Sequence, residues 1–251
     1  QPSPETGIII TVFGLRGGVG QTTLAVNLAA ALRRASQQEV CLVDLSPSGG
    51  QAIMHMRLQA RSSWLDLPAE NELDWAVLKN RLIIHPSGLR VLAAPAKPQD
   101  PSALSGERAH HILNLLRHHV AFTVVDAPHV YSPAFVQAVT MADMGLHIIT
   151  PEVVSVQTAV QLNRLLNKVG IQVKRKSHIL NQHTPEAQLP QAAVERGLNN
   201  KVAFQIAYDV NQARAIAQGV PLTLTAAKSG LPNVVRRMAE AIWQRVSTKS
   251  L

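Results

Sequence analysis

The sequence predicts an α/β protein in three layers, with a mostly parallel central sheet covered by helices on both faces. Three observations carry this. Short apolar runs alternate with segments of helical periodicity along most of the chain. The runs are continuous rather than alternating, as strands buried on both faces are. Three of them end in polar segments, GLRGGVGQTT, DLSPSGG and DAPH. Such a topology gathers these at the carboxyl ends of the strands, where open α/β sheets bind ligands.

Taken in order, GIIITVFGL is a short apolar run closed by glycine, a buried parallel strand. TTLAVNLAAALRRA has apolar residues at helical spacing and arginines in its last turn, where they suit the helix dipole. EVCLVDLS is a second buried strand. GLRVLAAP and AFTVVDAP are two more, separated by the helical ERAHHILNLLRHH. MGLHIIT is a strand and VSVQTAVQLNRLLNKVG the helix after it. KSHILNQ and KVAFQIA read as further strands, and NVVRRMAEAIWQRV is the closing helix. Residues 55–80 are the least regular part and are expected to be a surface excursion of helix and loop.

The chain of 251 residues fits one domain, and 46% hydrophobic residues supply its core. Aromatics are 4%, so Leu, Val, Ile and Ala must build that core. The single cysteine, Cys41, excludes a disulfide framework or cysteine cluster within one chain and points to a reducing, cytoplasmic setting. No apolar run reaches the roughly 18 residues of a membrane span. The opening QPSPETG, residues 1–7, reads as a linker ahead of a domain over 8–251. The net charge of +8 is uneven: residues 1–150 hold 11 basic and 11 acidic residues, residues 151–251 hold 13 and 5, so 13 − 5 = 8. Such a bias suits either a solvated basic surface or a face for an anionic partner.

The loop RGGVGQTT carries the chemistry. Gly17, Gly18 and Gly20 let the backbone curl so that N–H groups point inward, and the helix beginning near Gln21 adds its positive N-terminal end. Thr22 stands where a hydroxyl ligates Mg²⁺. The common pattern G-x-x-x-x-G-K-[ST] fails at Leu15 and at Gln21. The alternative is a glycine turn that only packs helix on strand. Asp44 and Asp126, each ending a strand at the same edge, favour a site. Asp126 in particular resembles the carboxylate that holds Mg²⁺ through water in phosphate-loop proteins.

RGGVGQTTLAVNLA, CLVDLSPSGG, HPSGLRVLAAP, FTVVDAP, LNQ and ARAIAQGVPL occur in the order and spacing of the MinD/ParA group of P-loop NTPases with a deviant Walker motif. Within it the chain resembles the ATPase-like domain of CpaE/TadZ, localisation proteins of Flp (Tad) pilus assembly, over nearly all of residues 8–246. The resemblance implies a receiver-like domain ahead of this one, ATP and Mg²⁺ as ligands, a homodimer, and Tad/Flp secretion proteins as partners. It implies a cytoplasmic protein brought to a pole or to the inner face of the membrane through partners.

Carried over residue by residue, the resemblance assigns nucleotide binding to Arg16, Gly17, Gly18, Val19, Gly20, Gln21, Thr22 and Thr23. Arg16 takes the place of the signature lysine that reaches the phosphates of the partner subunit. Gln21 takes that of the lysine acting in cis, with an amide that could still donate to phosphate but no charge. Thr22 and Asp126 are the Mg²⁺ residues, and Asn181 is the asparagine that contacts adenine. Arg16 and Asp44 are the catalytic candidates. Ser46 stands where the family carries the acid that positions the attacking water. AYDVNQARAIAQG matches the loop and helix closing over the base. Binding groups largely remain while hydrolytic ones are weakened, which implies a dimerising, ATP-binding scaffold or localisation factor with little or no hydrolysis. The alternative is a working positioning ATPase of the ParA/MinD type, with nonspecific DNA or membrane binding.

Other signals are weaker. His111 and His118 lie one heptad apart, wider than the usual helical spacing of metal ligands. No serine has the context of a hydrolase nucleophile. The closing segment could be an amphipathic anchor, with Val234, Val235, Met238, Ala241, Ile242 and Val246 on one side and Arg236, Arg237, Glu240 and Lys249 over the rest. As the last helix of the fold it would pack on the sheet instead. That packing is the expectation, so membrane association is indirect or peripheral and nucleic acid is not an expected partner.

Overall fold

The computed structural model describes residues 6–182, 189–227 and 230–248. Strand β1 (Ile8–Phe13) runs into the glycine loop and helix α1 (Gln21–Ser36), then β2 (Val40–Asp44). After two 3₁₀ turns come α2 (Trp75–Arg81), β3 (Ile83–Ile84), β4 (Arg90–Leu92), α3 (Gly106–His119) and β5 (Phe122–Asp126). The second half comprises α4 (Pro133–Thr140), β6 (Met144–Ile149), α5 (Val153–Lys168), β7 (Lys176–Asn181), α6 (Gln191–Leu198), β8 (Val202–Ile206), α7 (Asn211–Gln218) and α8 (Leu231–Ser247).

The eight strands form one sheet in the order β3-β4-β2-β5-β1-β6-β7-β8. Every pair is parallel except β3 with β4. That two-residue antiparallel edge strand was too short to read from the sequence.

Because both faces are covered, the central strands are apolar throughout. Ile10, Val12, Leu42 and Val124 face α1 and α8 in one core, while Ile9, Phe13, Val43 and Val125 join Ile112, Leu116, Phe135 and Leu162 in the other. Helix α8 packs along α1 through Val234, Val235, Met238, Ala239 and Ile242. The apolar stripe differs from the sequence reading at one position: Ala241 is exposed and Ala239 buried, since 235, 238, 239 and 242 share the helical face. Lys249 lies outside the described residues.

Two further expectations change. Residues 55–80 are irregular but not superficial. Trp64 is fully buried, capped into place by Ser63 and Asp66, and Leu67, Leu73 and Leu78 join the same core. Gly7, read as the end of a linker, is buried already. Its N–H donates to Arg117 O at 2.6 Å, and a Cβ there would lie 1.9 Å from Val120 O. Residues 1–5 lie outside the described residues.

Candidate functional site

The parallel order puts the ends of β2, β5, β1, β6 and β7 side by side. In register, Asp44 lies opposite Asp126 and Val12 opposite Asp126, so the two acids and the glycine loop meet at one edge. The loop follows β1, and its shape comes from glycine. Gly18 and Gly20 have φ of 79° and 88°, in the left-handed region. A Cβ on Gly20 would also come within 2.4 Å of Asn181 Nδ2. Gly17 and Gly18 form the open rim, with nothing within 4 Å of a Cβ added to either.

Among the described residues, the backbone N–H groups of Arg16 to Gly20 donate to no protein acceptor. Helix α1 starts at Gly20 with no side-chain cap and no acidic residue in its first turn. Free N–H groups at an uncapped helix N-terminus suit an anion, so a phosphate fits the loop. Thr22 is half-buried, and its side chain lies beside Asp126. A hydroxyl beside a carboxylate suits a hard divalent cation. Burial raises Asp126 above the usual carboxylate range, against the opposing effect of the Thr22 and Gln21 side chains. Burial and then the charge of Asp126 raise Asp44, against backbone N–H groups of Ser46, Ala52 and Gln51. Two adjacent buried carboxylates are the local charge a dication would offset. The residues present therefore fit Mg²⁺, which Thr22 and Asp126 would hold.

Several side chains point elsewhere than their positions imply. Gln21 is 1% exposed, and its amide faces the strand ends, with Nε2 donating to Asp126 Oδ1 at 2.8 Å and to Ala127 O at 2.6 Å. Asn181 is buried behind the loop, and its Nδ2 donates to Val19 O at 2.8 Å. Its Oδ1 is buried without a partner. Arg16 is held within the chain, 2.5 Å from Glu152 Oε2. Asp44 is committed to its own loop: Oδ1 accepts from Ser46 N at 3.0 Å and Oδ2 from Ala52 N at 3.2 Å. Ser46 is half-buried, its hydroxyl accepting from Ser48 N at 3.3 Å. Thr23 is buried, and its carbonyl accepts from Asn27 Nδ2.

Two neighbours of the loop escaped sequence reasoning. Glu152 lies three residues past the end of β6, and only its place at the same sheet edge could have signalled it. His129, in DAPH, lies against the backbone of Gly14, and burial holds its imidazole below the usual value. Its Nδ1 is buried without a partner. His111 and His118 do not converge: His111 Nε2 meets Leu73 O, and His118 Nδ1 meets Asn114 O. Among the described residues no group of three or more His, Cys, Asp or Glu could hold a metal by itself, and no helix is long and apolar enough to cross a membrane.

A seven-stranded parallel array, a glycine loop opening a helix, and an acid ending the neighbouring strand define a P-loop NTPase-type protein of the MinD/ParA class. The family model for the cellulose biosynthesis protein BcsQ matches residues 8–242, and the chain belongs to that family. Among curated relatives, the septum site-determining protein MinD of Helicobacter pylori is 28% identical over 188 residues, covering 71% of this chain and 68% of that protein. Two solved structures share the fold. The ParA family ATPase from Chlorobium tepidum has a TM-score of 0.85 at 20% identity, covering 94% of this chain and 98% of that one. MinD from Pyrococcus horikoshii, complexed with Mg-ADP, has a TM-score of 0.80 at 16% identity, covering 97% and 98%.

Proposed function

We propose that this chain is a nucleotide-binding, dimerising positioning factor that binds ATP with Mg²⁺ and hydrolyses it slowly or not at all. One observation carries the reading: the loop keeps its free N–H groups and uncapped helix, while Gln21 brings no charge and turns its amide away. Phosphoryl transfer needs charge neutralisation and a positioned water. Ser46 has no carboxylate for that water, and Asp44 already accepts backbone N–H groups. The Mg-ADP complex of the Pyrococcus horikoshii relative supports nucleotide as the ligand. The loop from Arg16 to Gly20 would hold the phosphates, Thr22 and Asp126 the Mg²⁺, and the side of Asn181 and α7 the base.

The family match favours the cellulose biosynthesis machinery as the partner. The motifs HPSGLRVLAAP and RGGVGQTT favour the Flp pilus machine instead, with this domain following a receiver-like one. Both readings make the chain a placement factor at the envelope, reached through partners. Calorimetric titration with ATP and Mg²⁺, then a phosphate-release assay on the same sample, tests the common core. Micromolar to millimolar binding with negligible release is expected. Several turnovers per minute, lost on Asp126→Ala, would make the chain a working ATPase of the ParA/MinD type. Co-purification from cells carrying one or the other machine separates the two partners.

A further inference from the structure

We propose that Gln21 is a positioning residue for Asp126 and makes no contact with phosphate, so the divalent cation beside Asp126 supplies the charge that the loop itself lacks. This rests on the nucleotide reading above and assigns a role within that site. A lysine here would extend over the phosphates; the glutamine folds the other way. A primary amide has two N–H donors, and both are used: Nε2 reaches Asp126 Oδ1 at 2.8 Å and Ala127 O at 2.6 Å. Turning the amide toward a phosphate would leave a buried carboxylate oxygen and a buried carbonyl without their donor. The remaining atom, Oε1, is buried without a partner and lies on the side of Gly14, 3.8 Å from where a Cβ on that residue would be. It is an acceptor, and phosphate oxygens offer acceptors only.

The geometry that excludes Gln21 from the phosphate fixes Asp126. One oxygen is held by Gln21, and the Thr22 side chain lies beside the same carboxylate. Asp126 cannot rotate without breaking a bond to α1, so the carboxylate and the Thr22 hydroxyl stay aligned as a pair. Among the described residues neither Asp126 nor Asp44 forms an ion pair. With lysine absent from the loop and Arg16 engaged by Glu152, metal-free triphosphate would enter a site bordered by two carboxylates.

ATP affinity in excess Mg²⁺ and in EDTA, measured for the native chain, Gln21→Met and Gln21→Lys, tests this. Met keeps length and burial but has no donor. The native chain is expected to bind at least tenfold more tightly with Mg²⁺. Gln21→Met should keep its EDTA affinity within about twofold and lose about tenfold with Mg²⁺. Gln21→Lys should gain tenfold or more in EDTA, shrinking its dependence on the cation. If affinity is too weak to titrate in EDTA, Mn²⁺ binding to the ADP complex, followed by electron paramagnetic resonance, gives the same comparison. Gln21→Met should then bind Mn²⁺ about tenfold more weakly. Equal losses with Mg²⁺ and in EDTA would make Gln21 a phosphate ligand and overturn the proposal, as would unchanged affinity in both. A native chain that binds ATP under neither condition would overturn the nucleotide reading and this one with it. Circular dichroism melting of each variant separates these outcomes from misfolding.

Discussion

At the scale of single residues, the ion pair between Arg16 and Glu152 separates stability from function. Both side chains are about one-third exposed, at 35% and 32%, so solvent screens the pair. Such pairs contribute about 0–1 kcal/mol. Glu152→Gln should therefore shift the thermal midpoint little. Its effect should appear in self-association, because the guanidinium released from Glu152 becomes available to an anion across a dimer interface. Sedimentation velocity with ATP and Mg²⁺ should show more dimer for Glu152→Gln than for the native chain and less for Arg16→Ala. The same order in both variants would detach Arg16 from dimerisation. Gly20 is the converse case, where structure dominates. Its left-handed φ and its contact with Asn181 leave no room for a side chain. Gly20→Ala should lose at least about 1–3 kcal/mol in urea unfolding, the usual cost of such backbone strain.

At the scale of elements, β6 and β7 carry a pH dependence. His147 and His178 are neighbours in register, with ring centroids 5.2 Å apart, and His147 stacks on Phe13. His147 Nδ1 and both ring nitrogens of His178 are buried without partners. Burial, then the charges of His178 and Lys176, hold His147 well below its usual value. Burial and Lys176 lower His178 to about 4. Between about pH 6.5 and 4 the unfolded chain binds these protons and the folded one does not. Stability present above about pH 6.5 is thus lost as pH falls, by up to about 1.4 kcal/mol per pH unit for each histidine. Asp44 and Asp126, raised in the fold, act in the opposite direction over part of this window. The comparison must therefore be made between variants: His178→Leu should show a smaller loss than the native chain in urea unfolding between pH 7 and pH 5. Parallel curves would mean that His178 finds a proton partner in the fold.

The same scale shows what the sequence could and could not convey. Strands β1, β2, β5, β6 and β7 are legible because burial on both faces leaves continuous apolar runs. The antiparallel β3 and the short α2, α4 and α6 are not, being too brief for a period to emerge. The gathering of loop, Asp44 and Asp126 at one edge follows from parallel topology. The aim of the side chains does not, because each is set by a partner far along the chain. Gln21 finds Asp126 across 105 residues, Arg16 finds Glu152 across 136, and Asn181 finds Val19 across 162. Trp64 is a similar case, an anchor inside an irregular segment with no pattern to mark it. Trp64→Ala should cost about 3–5 kcal/mol, as large core truncations do. Ala241→Ser on the exposed face of α8 should stay within about 0.5 kcal/mol. A reversal of these two sizes in denaturant unfolding would move both residues out of their assigned layers.

At the scale of the whole molecule, the question is whether a net charge of +8, all of it in residues 151–251, makes this a nucleic-acid binder. The distribution argues against it. The cations are divided among separate elements, with Arg164 and Lys168 on α5, Arg196 on α6, Arg214 on α7, and Arg236, Arg237 and Arg245 on α8. Helices α5 and α8 lie in the two different cores flanking the sheet, so no single face collects all of them. Some are already engaged. Arg236 donates to the carbonyls of Thr223, Thr225 and Ala227, Lys201 pairs with Glu195 at 2.8 Å, and Lys176 donates to Asn163. A duplex binder gains affinity by neutralising many phosphates at once, and log affinity then falls with log salt at a slope of about −0.9 for each phosphate neutralised. With the cations dispersed, only two or three should reach one duplex together. The expected result in fluorescence anisotropy is micromolar or weaker binding to duplex DNA at physiological salt, with a slope no steeper than about −3. Nanomolar affinity with a slope beyond about −6 would require a continuous basic face. A dimer could build such a face by juxtaposing two copies of α7 and α8. Repeating the titration with ATP and Mg²⁺, where self-association is expected, would reveal it as a steeper slope with nucleotide than without.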